Sequence, residues 1–297
     1  MSSIVRGDNA RLNRFDGLYR GLKIFKTAPK IPTAIIILAA VLAIFGNLIA
    51  PFPATEVHPR DSREAPAFSG GKPEYFLGTD SQGRDILSRI IVGTRTSLAV
   101  AIASIALGGF VGTVMGLIAG YWGRWTDTII MRVADITLAF PAILIALVLA
   151  VTMGSGFKVV VVVLAVSMWA RFARLSRSEA FVFKEKDYVA MARVAGAPSH
   201  YILRKHIFPN LINTMTVLAT LMVGLAILVE SSLSFLGAGI PPPTPTWGSM
   251  VAEGRTYVSM AWWMSLFPGI AIMVVVLAFN LFGDWLRDAL DPQLRQL

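Results

Sequence analysis

Long runs without a charged residue constrain this chain more than any other feature. Five of them contain no Asp, Glu, Lys or Arg and cover 31–55, 96–123, 136–157, 211–229 and 256–283. A helix needs roughly 20 apolar residues to cross a bilayer, and each run is about that length or longer. A sixth run, 159–170, is shorter. It crosses only if its helix continues through Arg171 and Arg174 with their side chains reaching toward headgroups, and a re-entrant segment is the alternative.

These runs predict an all-α polytopic membrane protein. Backbone groups cannot stay unpaired in lipid, so segments of this length cross as helices, and they lack the alternating pattern of β-barrel strands. The composition agrees, because 55% of the 297 residues are hydrophobic and only 15% are charged, a balance that is rare in soluble domains. We therefore expect six transmembrane helices, which place both termini on the same side.

The basic residues predict which side that is. Nineteen of the 27 Lys and Arg residues lie in 1–30, 119–132, 171–205 and after residue 284, which face one side of the membrane in a six-helix topology. The other eight lie in the segments that face the opposite side. Since cytoplasmic loops carry the excess of Lys and Arg, both termini are expected in the cytoplasm. The net charge of +9 then reflects orientation and anionic lipid, and we expect no nucleic-acid partner because no nucleic-acid-binding module accompanies it.

No pattern of catalytic or metal-binding residues occurs in the sequence. His58, His200 and His206 are scattered, without the spacing of an HExxH zinc site. No serine lies in a GxSxG elbow, and the absence of cysteine excludes thiol and Fe–S chemistry. The Gly-Gly-Lys at 70–72 runs into Pro73 and does not form a phosphate-binding loop. We therefore expect no catalytic residue, no metal and no ATP hydrolysis by this chain itself.

The pattern divides the chain into five parts. They are a basic leader at 1–30, the first transmembrane helix at 31–51, an outer loop at 52–95, a five-helix core at 96–285 and a tail at 286–297. Near the end of the outer loop, Ile86, Ile90 and Ile91 share one helical face, and Asp85 precedes Arg89 by four residues. This spacing predicts an amphipathic helix at the membrane interface.

Two features of the predicted membrane helices are candidates for function. The first is a ladder of glycines at four-residue spacing, Gly108, Gly112, Gly116 and Gly120. Such a face is typical of close helix packing, either within this chain or along a seam that moves. The second is Glu230, near the end of the fifth helix, where a gate or pathway role and an ordinary hydrogen-bonded carboxylate are both open.

A basic segment interrupts the apolar pattern within a cytoplasmic loop at 179–210. The apolar positions that recur there at helical spacing are Tyr188, Met191, Ala192 and Ala195. Gly196 stands where a residue just past a helix end is expected, and Pro198 is placed to begin another helix. A short amphipathic helix of this kind enters a groove on another protein or lies on lipid headgroups, and the spacing alone favours neither.

In this segment the chain resembles the cytoplasmic loop of ABC importer permeases. That loop reads Glu-Ala-Ala, three residues, Gly, nine residues, then Ile-x-Leu-Pro. When this pattern is aligned on Gly196, its second alanine falls on Ala192 and its proline on Pro209, and both match. Ala190 stands where the pattern has glutamate, and the other three positions differ. Four further stretches look like the C-type permease subunit of dipeptide/oligopeptide importers, a group that includes nickel, glutathione and opine systems. They are LGTDSQGRDILSR (77–89), MRVADITLAFP (131–141), LSFLGAGIPPPTPTWGSM (233–250) and FNLFGDWLRDALDP (279–292).

The resemblance covers about residues 31 to 292 and implies the fold of a type I ABC importer permease in the bacterial cell inner membrane. In that family the short cytoplasmic helix is a coupling helix that docks on a separate ATPase subunit. The residues that it implies for ATPase contact here are Tyr188, Val189, Met191, Ala192, Arg193, Gly196, Ala197 and Ser199.

The resemblance also implies the partners and the cargo. The partners are a second homologous permease subunit, two ABC ATPase subunits that bind ATP and Mg, and a periplasmic or extracellular solute-binding protein. No cofactor binds this chain. Peptides are the favoured cargo, with nickel chelates, glutathione and opines as alternatives. A stand-alone secondary transporter or channel fits less well, because Glu230 alone is little support for ion coupling. A structural or signalling membrane subunit is the remaining alternative.

Overall fold

The computed structural model describes residues 27–290, and helices form most of that part. In chain order they are α1 (Lys30–Ile49), α2 (Ile86–Trp122), α3 (Arg124–Ala139), α4 (Ala142–Met153), α5 (Phe157–Lys184), α6 (Asp187–Val194), α7 (Ser199–Ile202), α8 (Phe208–Phe235), α9 (Trp247–Gly254) and α10 (Trp263–Leu290). A π-helical turn, Leu203–Ile207, joins α7 to α8. Within 27–290 the chain forms no strand beyond the isolated bridge between Thr79 and Asp85.

Five of the helices, namely α1, α2, α5, α8 and α10, are long and apolar enough to cross a membrane. This agrees with the predicted all-α membrane fold. The short run at 159–170 is part of α5, which has 28 residues and continues through Arg171 and Arg174. The continuous helix is therefore what forms, and not the re-entrant segment.

The third span differs from the straight helix expected over 136–157. Helices α3 and α4 meet at an angle of 93°, and α4 has only 12 residues. Pro141 causes the break, because it has no N–H to donate and it forces the preceding residue out of the helical region. Phe140 is accordingly extended, with φ −91° and ψ 142°. Counted as one bent span, the pair brings the total to six among the described residues.

The end of the outer loop also differs from its prediction. Residues 86–91 are not a separate interfacial helix but the first turns of α2, which runs unbroken for 37 residues. Asp85 caps this helix by accepting a hydrogen bond from Ser88 N, at 2.7 Å, and it does not pair with Arg89. Because the cap satisfies a free N–H at the helix start, α2 begins a full two turns before the charge-free run.

The segment before the last helix is more ordered than the proline-rich sequence indicated. Residues 236–246 are irregular, but α9 follows them and is capped by Thr246, whose side chain accepts from Ser249 N at 3.1 Å. The last helix begins only at Trp263 and runs to Leu290. The predicted leader at 1–30 and tail at 286–297 lie largely outside the described residues.

The long helices share one hydrophobic core. Its largest cluster takes side chains from all five long helices and α9, and includes Ala39, Leu98, Phe172, Ile227, Trp247 and Val275. Helices α2 and α5 run against each other over their whole shared length, while α9 lies across the start of α2. The molecule thus has two distinct ends, which we name the α6 end and the α9 end.

Candidate functional site

The segment from α6 to α7 forms a helix, a sharp turn and a second short helix. Gly196 follows α6 with φ +79°, in the left-handed region that favours glycine. The turn closes with Gly196 N donating to Arg193 O and Ala197 N donating to Ala192 O, both at 3.0 Å. Such paired bonds satisfy the last carbonyls of a helix. The predicted break at Gly196 and restart after Pro198 are therefore what the structure shows.

One side of this segment is anchored on the bundle. Val189, Ile202 and Ile207 are almost fully buried and pack with Leu117 of α2 and Ala180 of α5. Ala192 and Ala197 lie at the edge of the same cluster. The sequence pattern placed Val189 among the residues that contact a partner, but its side chain has no exposed area and instead holds α6 to the ends of α2 and α5.

The other side of the segment is exposed and partly apolar. Met191 is 67% exposed and Val194 is 90% exposed. Tyr188, Arg193 and Gly196 are also exposed, while Ala192, Ala197 and Ser199 are half-buried. Val194 was missed by the sequence pattern, because the apolar stripe through Tyr188 and Met191 does not include it. Its extreme exposure is visible only once Val189 is known to be buried.

The turn that links this segment to α8 is helical throughout. Residues Leu203–Ile207 form the π-helical turn and continue directly into α8. The ring of His206 contacts those of Tyr188 and Tyr201, with centroids 6.0 and 5.8 Å away. A displacement of α7 therefore has a stiff path into a membrane-spanning helix, because no irregular residue lies between α7 and α8.

The four glycines of α2 face α5. A Cβ added at Gly108 would lie 2.8 Å from Ala165 O, and one at Gly120 would lie 2.7 Å from Ala180 Cβ. At Gly112 and Gly116 the backbone of α5 approaches more closely still. The spacing thus serves packing inside this chain, and the ladder does not form a free seam here.

A buried network of ion pairs, which the sequence pattern missed, joins three segments at the α9 end. Asp80 of the outer loop pairs with Arg84 at 2.6 Å and with Arg89 of α2. Both arginines also bind Glu253 of α9, at 2.8 and 2.7 Å. The i,i+4 spacing of Asp80 and Arg84 could have suggested their pairing, but Glu253 lies 164 residues from Arg89. The network fixes α9 over the start of α2.

Glu230 lies beneath α9 and has no exposed area. Ser234 Oγ donates to its Oε1 at 2.8 Å. Gly248 of α9 packs against Ser231 and Ser234, which lie next to Glu230 on α8. Within this chain the carboxylate faces protein, and its Oε2 has no hydrogen-bond partner among the described residues, so both predicted roles stay open. A role in gating stays a prediction.

The pKa values of three side chains in the outer loop shift from their ordinary values, one downward and two upward. Lys72 donates a hydrogen bond to Asp61 and holds the pKa of that carboxyl below its ordinary value. Burial, with the hydrogen bond to Asp61, raises the pKa of Tyr75 to about 12. Burial also raises the pKa of Asp85.

Across residues 27–290 no cluster of three or more His, Asp or Glu side chains is placed to hold a metal ion.

Comparison with known proteins places this geometry in a family. The family described as the binding-protein-dependent transport system inner membrane component matches residues 112–296. The glutathione transport system permease protein GsiD of Pectobacterium atrosepticum is 42% identical over 260 residues, covering 88% of this chain and 85% of that protein. A putative peptide transport system permease protein of Brucella suis is 42% identical over 261 residues, with the same coverage.

A solved structure shares the fold. A chain of the MetNI methionine ABC transporter in an inward-facing conformation superposes with a TM-score of 0.55 at 18% identity, and the match covers 68% of this chain and 97% of that one. The expected type I importer permease fold is thereby confirmed. The chain belongs to the family of binding-protein-dependent transport system inner membrane components, and it is a permease of the inner membrane.

Proposed function

We propose that this chain is one of two permease subunits of an ATP-driven importer of peptides, glutathione among them, and that its α6 end docks on a separate ATPase subunit in the cytoplasm. The excess of basic residues at that end supports the orientation. A second permease, a second ATPase subunit and an external solute-binding protein complete the assembly. In this proposal ATP and Mg bind the ATPase subunits, and the chain itself is not catalytic.

One observation carries the docking proposal, namely the opposite directions of two faces of α6. At about 100° per residue, Met191 and Val194 fall on the far side of the helix from Val189. Val189 packs against the ends of α2 and α5, so we infer that Met191 and Val194, on the opposite face, point away from those helix ends toward the cytoplasm. A helix resting on headgroups would turn its most apolar exposed side chains toward the bilayer. The arrangement instead supports insertion into a groove on another protein.

The remaining residues of the segment fit the same role. Arg193 and Gly196 are exposed beside the apolar pair, and Tyr188 flanks it with its ring against His206. Ala192, Ala197 and Ser199 contribute through the exposed part of their surface. The proposed contact surface is therefore Tyr188, Met191, Ala192, Arg193, Val194, Gly196, Ala197 and Ser199. Val189 positions this surface from below.

The cargo proposal rests on the named relatives. Two proteins about 42% identical to this chain over most of its length are named for glutathione and for peptides. Glutathione is itself a tripeptide, so one solute class accommodates both names. Nickel chelates and opines stay alternatives that no observation favours.

The test is reconstitution of the complete importer in liposomes with its binding protein. We expect ATP-dependent uptake of glutathione or tri-alanine. We also expect Val194→Glu and Met191→Glu to lose the ATPase subunits during purification, because each places an unpaired charge in an apolar contact. Val258→Glu is the matched control, since Val258 is 52% exposed at the α9 end. If both α6 variants keep the ATPase and full uptake, the docking surface is wrong. If the wild type imports neither solute, the cargo is wrong.

A further inference from the structure

Three arginines follow one another at three-residue spacing along the second half of α5. Arg174 Nη2 donates to Asp135 Oδ1 at 2.6 Å, and Arg177 Nη2 donates to Asp127 Oδ2 at 2.6 Å. Both carboxylates belong to α3, which crosses α5 near the α6 end. Two of the three arginines are therefore neutralised by the neighbouring helix.

Arg171 has no such partner. Among the described residues it forms no ion pair, and its Nη1 is shut off from solvent without a hydrogen bond. The two acidic residues of α3 are already engaged by the other two arginines, and residues 136–157 contain no further Asp or Glu. The side chain as a whole is still partly exposed. Within residues 27–290, then, Arg171 is a cation that lacks an anion.

The position of Arg171 makes this costly. It lies 14 residues after Phe157, the first residue of α5, which corresponds to roughly 21 Å along the helix. Lys184, the last residue of α5, lies 13 residues further on, so Arg171 is at the middle of a helix that is long and apolar enough to span a membrane. Charged residues in the middle of such a helix face a water-filled cavity or the interior of a bundle and mark the path of a solute or ion. We therefore expect the exposed part of Arg171 to face a polar space and not lipid tails.

We propose that Arg171 binds a carboxylate of the transported solute inside the translocation pathway. The planar guanidinium donates two parallel hydrogen bonds to a carboxylate, and every peptide with a free C terminus carries one. The inference rests on the proposed function for its cargo, and it assigns a solute-binding residue on this chain. A phosphate group of a lipid has related chemistry, so the experiment must separate the two sources.

The experiment uses the full importer in liposomes with three tripeptides, Ala-Ala-Ala, Ala-Glu-Ala and Ala-Lys-Ala, and with the C-terminal amide of Ala-Ala-Ala. Uptake of each is divided by its measured affinity for the binding protein. Arg171→Gln is expected to lower uptake of all three by about 10- to 100-fold, the value of a charged hydrogen bond, and Arg171→Lys to restore part of it. Arg174→Gln is the control, because Arg174 is already paired with Asp135. This variant is therefore expected to lower uptake less than Arg171→Gln.

Selectivity separates solute binding from a structural or lipid-binding role. Arg171→Glu is expected to shift the normalised uptake toward the C-terminal amide of Ala-Ala-Ala over Ala-Ala-Ala itself by at least about tenfold, because the glutamate repels the carboxylate that the amide lacks. Lipid binding would lower uptake of Ala-Ala-Ala and of its amide equally, and that unchanged ratio would overturn the proposal. Loss of the second permease from the purified Arg171→Gln complex would also overturn it, since the missing anion would then belong to the partner.

Failure of the proposed function gives a different result. If the wild-type importer takes up none of the three tripeptides nor glutathione, the cargo assignment is wrong and the role of Arg171 falls with it. If the wild type imports them and the Arg171 variants keep its rate and selectivity, the role of Arg171 alone is wrong.

Discussion

At the scale of single residues, Gly196 sets the geometry of the proposed docking segment. Its φ of +79° is left-handed, and a Cβ at this position would have no atom within 4 Å. Any side chain other than glycine therefore meets backbone strain here but no clash with this chain. Strain in the left-handed region costs about 1–2 kcal/mol.

Because a side chain at Gly196 meets backbone strain but no clash, we expect substitutions there to differ in effect according to how readily each residue adopts the left-handed conformation. Gly196→Asn is expected to be tolerated, and Gly196→Ala to loosen the turn by about 1 kcal/mol, because asparagine adopts the left-handed conformation more readily. Gly196→Leu adds no further strain within the chain, so any additional loss of co-purified ATPase measures the closeness of the partner. Equal ATPase retention by the Ala and Leu variants would show that the partner does not touch this position.

Asp61 determines how the outer loop responds to acid. Its pKa is lowered from 3.8, chiefly by the hydrogen bond from Lys72, so its contribution to stability is fully present above about pH 4 and is lost as the pH falls through the lowered value. Asp85 has a raised pKa and acts in the opposite sense. The comparison of wild type with Asp61→Asn isolates the first contribution.

We expect hydrogen-exchange protection of residues 59–79 in the wild type to fall more steeply below about pH 4 than in Asp61→Asn. The reason is that only the wild type has a carboxylate there to protonate. Parallel pH profiles for the two proteins would contradict the role given to the Asp61 and Lys72 pair.

At the scale of elements, the contact between α2 and α5 depends on the absence of side chains on one face. Gly112 faces the backbone of α5 too closely for a Cβ, whereas Gly269 of α10 has nothing within 4 Å. Both lie inside helices, so they have the same intrinsic preference for alanine over glycine. Only the packing differs between them.

Opposite signs are therefore expected for two Gly→Ala variants. Gly112→Ala should lower the free energy of unfolding by about 1–3 kcal/mol through overpacking, and Gly269→Ala should raise it by up to about 1 kcal/mol through helix propensity. Thermal unfolding of the detergent-solubilised protein measures both. Stabilisation by Gly112→Ala would mean that α2 and α5 lie further apart than described.

The attachment of α9 depends on the ion network around Arg89. Removing one partner of a buried ion pair leaves the others uncompensated and costs about 3–5 kcal/mol, so Arg89→Met should destabilise the protein by that order. It should also expose the amides of α9 to hydrogen exchange. Arg174→Met is the control and should cost below about 1 kcal/mol, because both members of its pair are more than half exposed. Similar losses in both variants would argue against a special role for the network.

At the scale of the whole molecule, the α6 end is built to move as a unit. Val189, Ile202 and Ile207 share one buried cluster, and the chain is helical from Ser199 to Phe235. We therefore expect a spin-label distance between Asp187→Cys and Thr216→Cys to change by less than roughly 2 Å when ATP is trapped in the importer. The chain has no native cysteine, so labelling is specific. A change near one helical turn, about 5.4 Å, would show that α6 slides on α8.

Most of the helices could be predicted from residues that lie close together in the chain. A charge-free run must be helical in lipid because it satisfies its backbone groups by itself, so four of the five continuous spans could be found without knowing their neighbours. The turn at Gly196 was equally visible, because left-handed conformation and helix termination are properties of a few adjacent residues. The same reasoning failed within the run 136–157, where it did not predict the 93° angle that follows from Pro141.

What the sequence determined by itself is the position of most of the membrane helices and of the proposed docking segment, since each depends on residues close together in the chain. Only the tertiary structure decided that Val189 is buried while Val194 is exposed, that Arg89 finds Glu253, and that Arg171 finds no carboxylate among residues 27–290. These outcomes depend on which helices meet and at what angle. Partners more than 100 residues apart leave no periodic pattern in a single sequence.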